Sequence, residues 1–156
     1  MLTIEVPGYK RFDLEHLVLD FNGTLACDGK VVAGVNERLS RLALSLNIHV
    51  LTADSFSSAH TELVGYPCEL HVLEKEHQDQ GKLEYVRRLG CSSTVCIGNG
   101  QIDRLMLKEA DLGICVCMVE GAAIPAILAA DILCSDILSA LDLLIHPVRL
   151  MATLRI

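Results

Sequence analysis

Short, continuously apolar segments alternate along the chain with segments in which apolar residues recur every three to four positions. The first pattern is typical of strands buried on both faces, and the second is typical of helices that pack one face against a sheet. The predicted strands are Leu2–Val6, His16–Phe21, Ile48–Thr52, Glu69–Leu73, Thr94–Gly98, Leu112–Val116 and Asp131–Cys134. The predicted helices cover residues 35–46, 57–63, 81–89 with Gly90 beyond the end, 102–109 and 123–130, and the segment from Ser135 to Arg155 with a break at Pro147.

This alternation predicts an α/β fold in which a mostly parallel, Rossmann-like sheet lies between two layers of helices. The length of 156 residues fits a single domain that covers residues 1–156. In such sheets ligands bind at the carboxyl ends of the strands. Residues that carry the chemistry are therefore expected where each strand ends.

The charge balance and the apolar content exclude several classes of function. Lys and Arg number 13 against 20 Asp and Glu, which gives a net charge of −7 and argues against nucleic acid as a partner. The most apolar stretch, residues 112–145, is interrupted by four carboxylates, so we predict no membrane span. The beginning of the chain also lacks the features of a signal peptide. The aliphatic surplus is compatible with a self-associating surface, and we expect a possible homo-oligomer.

Cysteine and histidine residues are numerous but form no familiar metal-binding motif. The seven cysteines include no Cys-x-x-Cys pair, and we interpret them as reduced, mostly buried thiols of a cytoplasmic protein. The six histidines form no His-x-His or His-x-x-x-His pair. They are therefore interpreted as surface or strand-edge residues rather than metal ligands.

Two polar residues end successive apolar strands. Asp20 is followed by the turn-forming residues Asn22, Gly23 and Thr24, whose backbone could bind an oxyanion. By position alone, Asp20 could equally cap a turn. Thr52 ends the next strand, where its hydroxyl could bind an anion or cap the following helix.

Two further features lie at later strand ends. Lys82 is predicted in the first turn of its helix, where the helix dipole disfavours a cation unless it pairs with carboxylates or a phosphate. The segment 97–103 follows a strand and opens a helix, and Asp103 in that first turn could bind a hard cation. Four such features, each at the carboxyl end of a successive strand or at the start of the next helix, indicate one site.

The segments DFNGT, LTAD and GNGQID, together with Lys82, resemble motifs one to four of the haloacid dehalogenase superfamily. Most members of that superfamily are Mg²⁺-dependent phosphohydrolases or phosphotransferases on a Rossmann-like sheet. The closer resemblance is to the phosphorylation domain of P-type ATPases, in its stand-alone soluble branch, and it extends from His16 to Arg155. Only 27 residues separate Thr24 from Thr52, so the chain is expected to lack a cap domain.

The resemblance implies a set of roles, with Mg²⁺ as the cofactor and a small phosphorylated metabolite as the substrate. The residues expected to take part in the reaction are Asp20, Asn22, Thr52 and Lys82. The residues expected to bind phosphate are Gly23, Thr24, Thr52, Ala53 and Lys82. The residues expected to bind the metal are Asp20, Asn22, Asn99 and Asp103. Asp20 corresponds to the nucleophile that attacks phosphorus, and Asp54 matches the Asp of the Thr-Gly-Asp motif of P-type ATPases.

Two departures from the family pattern affect the expected activity. Asn22 stands where the phosphatases carry the Asp that acts as general acid and base, a role worth roughly 10²–10⁴ in rate. Asn99 stands where a metal-site Asp is usual, which leaves two carboxylates, Asp20 and Asp103, where phosphatase relatives have four. Weaker Mg²⁺ binding is expected, although ligation by oxygen alone still favours Mg²⁺ over zinc.

Two hypotheses follow from these observations. The first is a slow Mg²⁺-dependent phosphohydrolase that acts through a phosphorylated Asp20. The second is a non-catalytic or regulatory module that binds phosphate or a partner on the same fold. Asn22 favours the second hypothesis. The first is favoured by the joint presence of Asp20, Thr24, Thr52, Lys82 and Asp103.

Overall fold

The computed structural model describes residues 1–53 and 58–156. The strands are β1 (Leu2–Val6), β2 (Lys10–Leu14), β3 (His16–Asp20), β4 (Ala26–Cys27), β5 (Lys30–Val31), β6 (Asn47–Thr52), β7 (Glu69–Val72), β8 (Thr94–Gly98), β9 (Leu112–Val116) and β10 (Ile132–Cys134). The helices are α1 (Val35–Leu42), α2 (Ser58–Glu62), α3 (Gln78–Leu89), α4 (Arg104–Glu109), α5 (Ile124–Ala129), α6 (Ile137–Ile145) and α7 (Pro147–Leu154).

Six of these strands form the central sheet, in the order β10-β9-β8-β3-β6-β7, and all neighbours are parallel. Alternate residues of β3 show how both faces are covered. Leu17 and Leu19 belong to a core shared with α1, α6 and α7, whereas Val18 packs in the core shared with α3, α4 and α5. This arrangement confirms the three-layer α/β fold expected from the sequence, because strands buried on both faces read as continuous apolar runs.

The first predicted strand lies outside the central sheet. β1 pairs antiparallel with β2 in a separate hairpin and does not join the central sheet. The sequence pattern did not predict β2, because charged Lys10, Arg11 and Asp13 alternate with buried Phe12 and Leu14. Such a strand has one exposed face and lacks the apolar run that identified the others.

Two helices also differ from their predicted bounds. α1 ends at Leu42, which shortens the predicted helix over residues 35–46. α3 begins at Gln78, earlier than the predicted helix over residues 81–89. The sequence pattern missed its first turn because that turn is polar and has no apolar periodicity. The expectation that Lys82 lies in the first turn is therefore wrong, since Lys82 lies in the second turn.

The sheet carries no inserted cap at the position after β3. In the described chain, only the small hairpin of β4 and β5 and the helix α1 lie between β3 and β6. Among the described helices, none is by itself both long and apolar enough to cross a membrane. The consecutive helices α6 and α7 meet those criteria only as a pair, and that pair is bent by 99°.

Candidate active site

The topology of the sheet brings the predicted strand-end residues to one edge. β3 lies between β6 and β8, so Asp20, Thr52 and Gly98 end adjacent parallel strands. A cavity of about 350 Å³ opens at this edge. It is lined by Asp20, Asn22, Thr52, Ala53, Gln78, Asn99, Gly100, Ile102, Asp103 and Glu120.

Lys82 reaches the same edge from α3 and is fully buried. Its Nζ lies 2.6 Å from Asp20 Oδ1 and 2.6 Å from Asp103 Oδ1. Lys82 therefore joins two buried carboxylates, which is the kind of partner that a buried cation requires. We call Asp20, Lys82 and Asp103 the buried ion triad; its net charge is −1 when both carboxyls are ionised.

The turn after β3 places Thr24 beside the triad. The Thr24 hydroxyl lies 3.2 Å from Asp20 Oδ2 and 3.3 Å from Asn99 Oδ1, and the residue is fully buried. Gly23 adopts a φ of 79°, and a side chain there would collide with Asn99 and Glu120. A glycine at position 23 thus allows both the left-handed turn and the close approach of these two side chains.

Asp103 is held against the end of β8 by backbone donors. Its Oδ2 accepts hydrogen bonds from the N–H groups of Asn99 at 3.0 Å and Gly100 at 2.8 Å. A Cβ atom at Gly98 would lie 2.6 Å from Asp103 Cγ. The absence of a side chain at Gly98 therefore lets the carboxyl sit directly against the strand.

The charges in the triad shift the pKa values of its members. Burial, and then the nearby Asp103, raise the pKa of Asp20 to about 6, although Lys82 and Thr24 act in the opposite direction. Burial lowers the pKa of Lys82, but Asp20 and Asp103 outweigh that effect and raise it overall. Lys82 therefore stays protonated at neutral pH, and Asp20 ionises less readily than an ordinary aspartate.

The residues present fit a hard divalent cation. The triad holds one more carboxylate than it has cations. The side chains that line the cavity in the described residues contribute carboxylate, amide and hydroxyl oxygens but no thiol or imidazole. Mg²⁺ prefers oxygen ligands of this kind.

The structure brings the sequence-predicted site residues together. Seven of them line the cavity or form the triad directly: Asp20, Asn22, Thr52, Ala53, Lys82, Asn99 and Asp103. Gly23 and Thr24 form the adjoining turn, where their N–H groups donate to Ala26 O and Phe21 O. Asn22 is exposed, whereas Thr52 is buried. Asp54 lies outside the described residues.

Glu120 is a cavity residue that the sequence reasoning missed. It lies in a turn after β9, where Gly121 N–H donates to Met118 O at 2.9 Å and Gly121 O accepts from Asn99 Nδ2 at 3.1 Å. Among the described residues, three carboxylates therefore line the cavity, whereas the motifs predicted two. The position of Glu120 after a buried strand was the available signal, because all such loops reach the same edge of the sheet.

Sequence comparison finds short but strong matches. No protein-family model matches the sequence. The uncharacterized protein MJ0073 of Methanocaldococcus jannaschii is 56% identical over 61 residues, which cover 39% of this chain and 66% of that protein. The uncharacterized protein MJ0072 of the same organism is 49% identical over 39 residues, which cover 25% of this chain and 89% of that protein.

Structure comparison finds matches along most of the chain. A protein of Legionella pneumophila assigned to subfamily III A of the haloacid dehalogenase (HAD) superfamily matches with a TM-score of 0.72 and 13% identity, over 90% of this chain and 87% of that one. This chain has the haloacid dehalogenase-like fold. The fold expected from the four motifs is thereby confirmed.

Two other structures share the haloacid dehalogenase-like fold. The 3-deoxy-D-manno-octulosonate 8-phosphate phosphatase of Moraxella catarrhalis, in complex with magnesium, phosphate and a KDO molecule, matches with a TM-score of 0.66 and 15% identity, over 92% of this chain and 94% of that one. A zinc-transporting PIB-type ATPase in its E2.Pi state matches with a TM-score of 0.59 and 23% identity, over 79% of this chain and 20% of that one.

Proposed function

We propose that this protein is a Mg²⁺-dependent phosphohydrolase of small phosphorylated compounds that acts through a phospho-aspartyl intermediate on Asp20. The observation that supports this most is the buried ion triad at the end of β3, which faces an open cavity. A carboxylate, a buried cation and a second carboxylate at one sheet edge match the requirements of phosphoryl transfer, which are positioning and stabilisation of charge.

In the proposed reaction, an Asp20 carboxylate oxygen attacks phosphorus while the bond from phosphorus to the leaving oxygen breaks. The leaving oxygen takes a proton from solvent. A water molecule then attacks the phosphorus of phospho-Asp20, which releases inorganic phosphate and restores the carboxylate. Lys82 offsets the charge of Asp20 and the phosphoryl group, and Thr52 with the backbone of Ala53 holds the phosphoryl oxygens.

Four residues are proposed to hold the metal. These are Asp20, Asp103, Asn99 and Asn22, the last through its backbone carbonyl, and Glu120 adds a further carboxylate at the cavity wall. When bound, Mg²⁺ would supply the positive charge that the triad lacks and would offset the charge of the phosphate. Two backbone N–H groups hold Asp103 in place at the cavity.

The comparisons support two finer points of the proposal. The magnesium- and phosphate-bound sugar phosphatase of Moraxella catarrhalis supports a small phosphorylated metabolite as the substrate class. The higher identity with the zinc-transporting ATPase, 23%, supports a place near the phosphorylation domains of P-type ATPases. A cytoplasmic location stays a prediction.

A second candidate function is a regulatory module that binds phosphate without turnover. The observation that favours it is Asn22, which lines the cavity and is exposed but cannot transfer a proton. Both candidates require a phosphate-binding site. Only the enzyme requires Asp20 to become phosphorylated.

A thermal-shift measurement with beryllium fluoride tests the aspartyl site. Beryllium fluoride with Mg²⁺ mimics a phosphorylated aspartate and is expected to raise Tm by about 5–10 °C at a hundredfold excess over its Kd. Asp20→Ala should show no such rise, and neither should the wild type when Mg²⁺ is left out. A wild-type protein with unchanged Tm under all conditions would refute the proposed function.

Asn22→Asp restores a proton carrier next to Asp20. Because general acid–base catalysis is worth roughly 10²–10⁴, we expect kcat for a simple phosphate ester to rise about tenfold or more. The exposed Asn36→Asp on α1 is a matched control and should leave kcat unchanged. If Asn22→Asp with saturating Mg²⁺ is no faster than the wild type, proton transfer does not limit the reaction and the regulatory module becomes the better explanation.

A further inference from the structure

We propose a second metal site, for a zinc-class cation, formed by His49, Glu69 and His71. His49 lies on β6, and Glu69 and His71 lie on the edge strand β7. About 10 Å of strand separates His49 from Thr52 at the cavity. This inference does not depend on the proposed phosphatase activity.

The register of the sheet creates the cluster. His49 pairs directly with Glu69 across the parallel strands β6 and β7. His71 follows Glu69 by two residues and so lies on the same face of the sheet. The ligand atoms of the three side chains all lie within 4.8 Å of one another.

The distances approach those of a tetrahedral site. Glu69 Oε2 lies 3.4 Å from His71 Nε2 and 3.9 Å from His49 Nδ1. Ligands bound to zinc at 2.0–2.2 Å lie roughly 3.3–3.6 Å apart in tetrahedral geometry. Small side-chain movements would therefore complete the coordination of one ion by these three atoms.

His71 supplies an independent observation. Its Nε2 is buried and makes no hydrogen bond with any described residue, although 36% of the side chain is exposed. A buried polar atom without a partner is costly. A metal ion bound at Nε2 would satisfy it.

The surroundings of His49 also suit a metal ligand. Its Nε2 lies 3.2 Å from His16 Nδ1, so His49 can donate its second ring N–H to His16 while Nδ1 faces Glu69. Metal-binding histidines are commonly oriented by such a second contact. The Tyr85 hydroxyl lies 2.9 Å from His49 Nδ1. An ion bound at Nδ1 would replace the hydrogen bond between these two atoms.

The donor set selects the metal. Two imidazole nitrogens with one carboxylate are typical of zinc sites that keep a fourth position for water. Mg²⁺ prefers oxygen ligands and therefore favours the cavity lined by Asp20 and Asp103. Zinc bound here would join the edge strand β7 to β6 and stabilise the folded chain.

The test is a titration of the metal-free full-length chain with zinc, followed by calorimetry and thermal unfolding. We expect one equivalent of zinc to raise Tm in the presence of Mg²⁺. Glu69→Gln and His71→Ala should each weaken zinc binding by at least about tenfold. His16→Leu should weaken it about tenfold through the lost second contact. Glu69 is exposed, so Glu69→Gln is expected to fold even if a histidine variant does not.

Two control variants separate this cluster from other zinc ligands of the chain. His146→Ala removes an exposed histidine far from the cluster in the sequence. Asp103→Asn weakens the proposed Mg²⁺ site. Both variants should bind zinc as the wild type does. Co²⁺ should give visible absorption bands of tetrahedral nitrogen ligation that Glu69→Gln and His71→Ala lose. The proposal is overturned if zinc does not raise the Tm of the wild type. It is also overturned if Glu69→Gln and His71→Ala bind zinc as tightly as the wild type, because the zinc would then be bound by other groups such as thiols.

Discussion

Asp20→Asn is expected to abolish phosphoryl transfer and, without Mg²⁺, to stabilise the protein by about 2–3 kcal/mol at pH 7. The loss of activity follows because an amide is not a nucleophile toward phosphorus. The gain in stability follows because burial and Asp103 raise the pKa of Asp20 to about 6, so its ionised form is disfavoured in the folded chain. Asparagine keeps an oxygen for Lys82 but removes that charge.

The pH dependence of this effect has a defined sign. The pKa of Asp20 rises on folding from 3.8 to about 6, so its protonated form favours the folded state. That contribution to stability is complete below about pH 4 and is lost as the pH rises through 6. The difference in unfolding free energy between Asp20→Asn and the wild type should therefore grow between pH 4 and 6 and stay constant above about pH 7.

Urea unfolding in EDTA from pH 4 to 8 measures this difference, and a phosphatase assay with Mg²⁺ measures the activity. Asp28→Asn, an exposed substitution of the same kind, is the control and should change neither quantity. Surviving activity in Asp20→Asn would contradict the covalent mechanism. A wild type that is more stable than the variant at pH 7 would contradict the charge balance assigned to the triad.

Lys82→Met is expected to have the opposite effect on stability, with a loss of about 3–5 kcal/mol. The substitution leaves Asp20 and Asp103 close together and buried without their shared cation. A position in the first turn of a helix would have predicted a small effect, because a lysine there opposes the helix dipole. Because Lys82 is buried between two carboxylates, the loss of its ion pairs outweighs any gain from the helix dipole.

Chemical denaturation in EDTA measures the free energy of unfolding of Lys82→Met. The matched control is Lys108→Met at an exposed position on α4, and its free energy of unfolding should lie within about 0.5 kcal/mol of the wild-type value. Adding Asp20→Asn to Lys82→Met should recover part of the lost stability, because only one buried carboxylate then remains. If Lys82→Met is no less stable than Lys108→Met, the ion triad does not hold the site together.

The sequence predicted most of the fold because its central strands are buried on both faces. Strands such as Thr94–Gly98 and Leu112–Val116 appear as uninterrupted apolar runs, and their order with the helices determines a parallel sheet. β2 was missed because polar Arg11 and Asp13 alternate with its apolar residues, so it has no continuous apolar run. The bounds of α3 were missed because its first turn is polar and makes no periodic contact with the core.

The candidate site was predictable to the extent that it follows strand ends. Asp20 and Thr52 are visible at strand ends, Lys82 and Asp103 are visible in the helices that follow later strands, and the motifs add Asn99. Glu120 belongs to none of the motifs, and its position after β9 was the one available signal; it lines the cavity through a turn whose Gly121 carbonyl accepts a hydrogen bond from Asn99.

The histidine cluster could not be seen for a different reason. His49 and Glu69 meet only through the pairing of β6 with β7, and a search within one segment does not detect a pair across strands. Register is set by the packing of the whole sheet and not by either strand alone.

The turn that positions Thr24 also governs how the protein ages. An exposed asparagine followed by glycine loses its side-chain amide when the next backbone nitrogen attacks it, and this produces aspartate or isoaspartate at that position. In the folded chain the Gly23 N–H donates to Ala26 O at 2.8 Å, so the attacking nitrogen is already engaged. Asn22 is thus protected while the turn is closed and converts when residues 22–26 open locally. The hydrogen bond from Gly23 to Ala26 therefore controls how long Asn22 persists in a stored preparation.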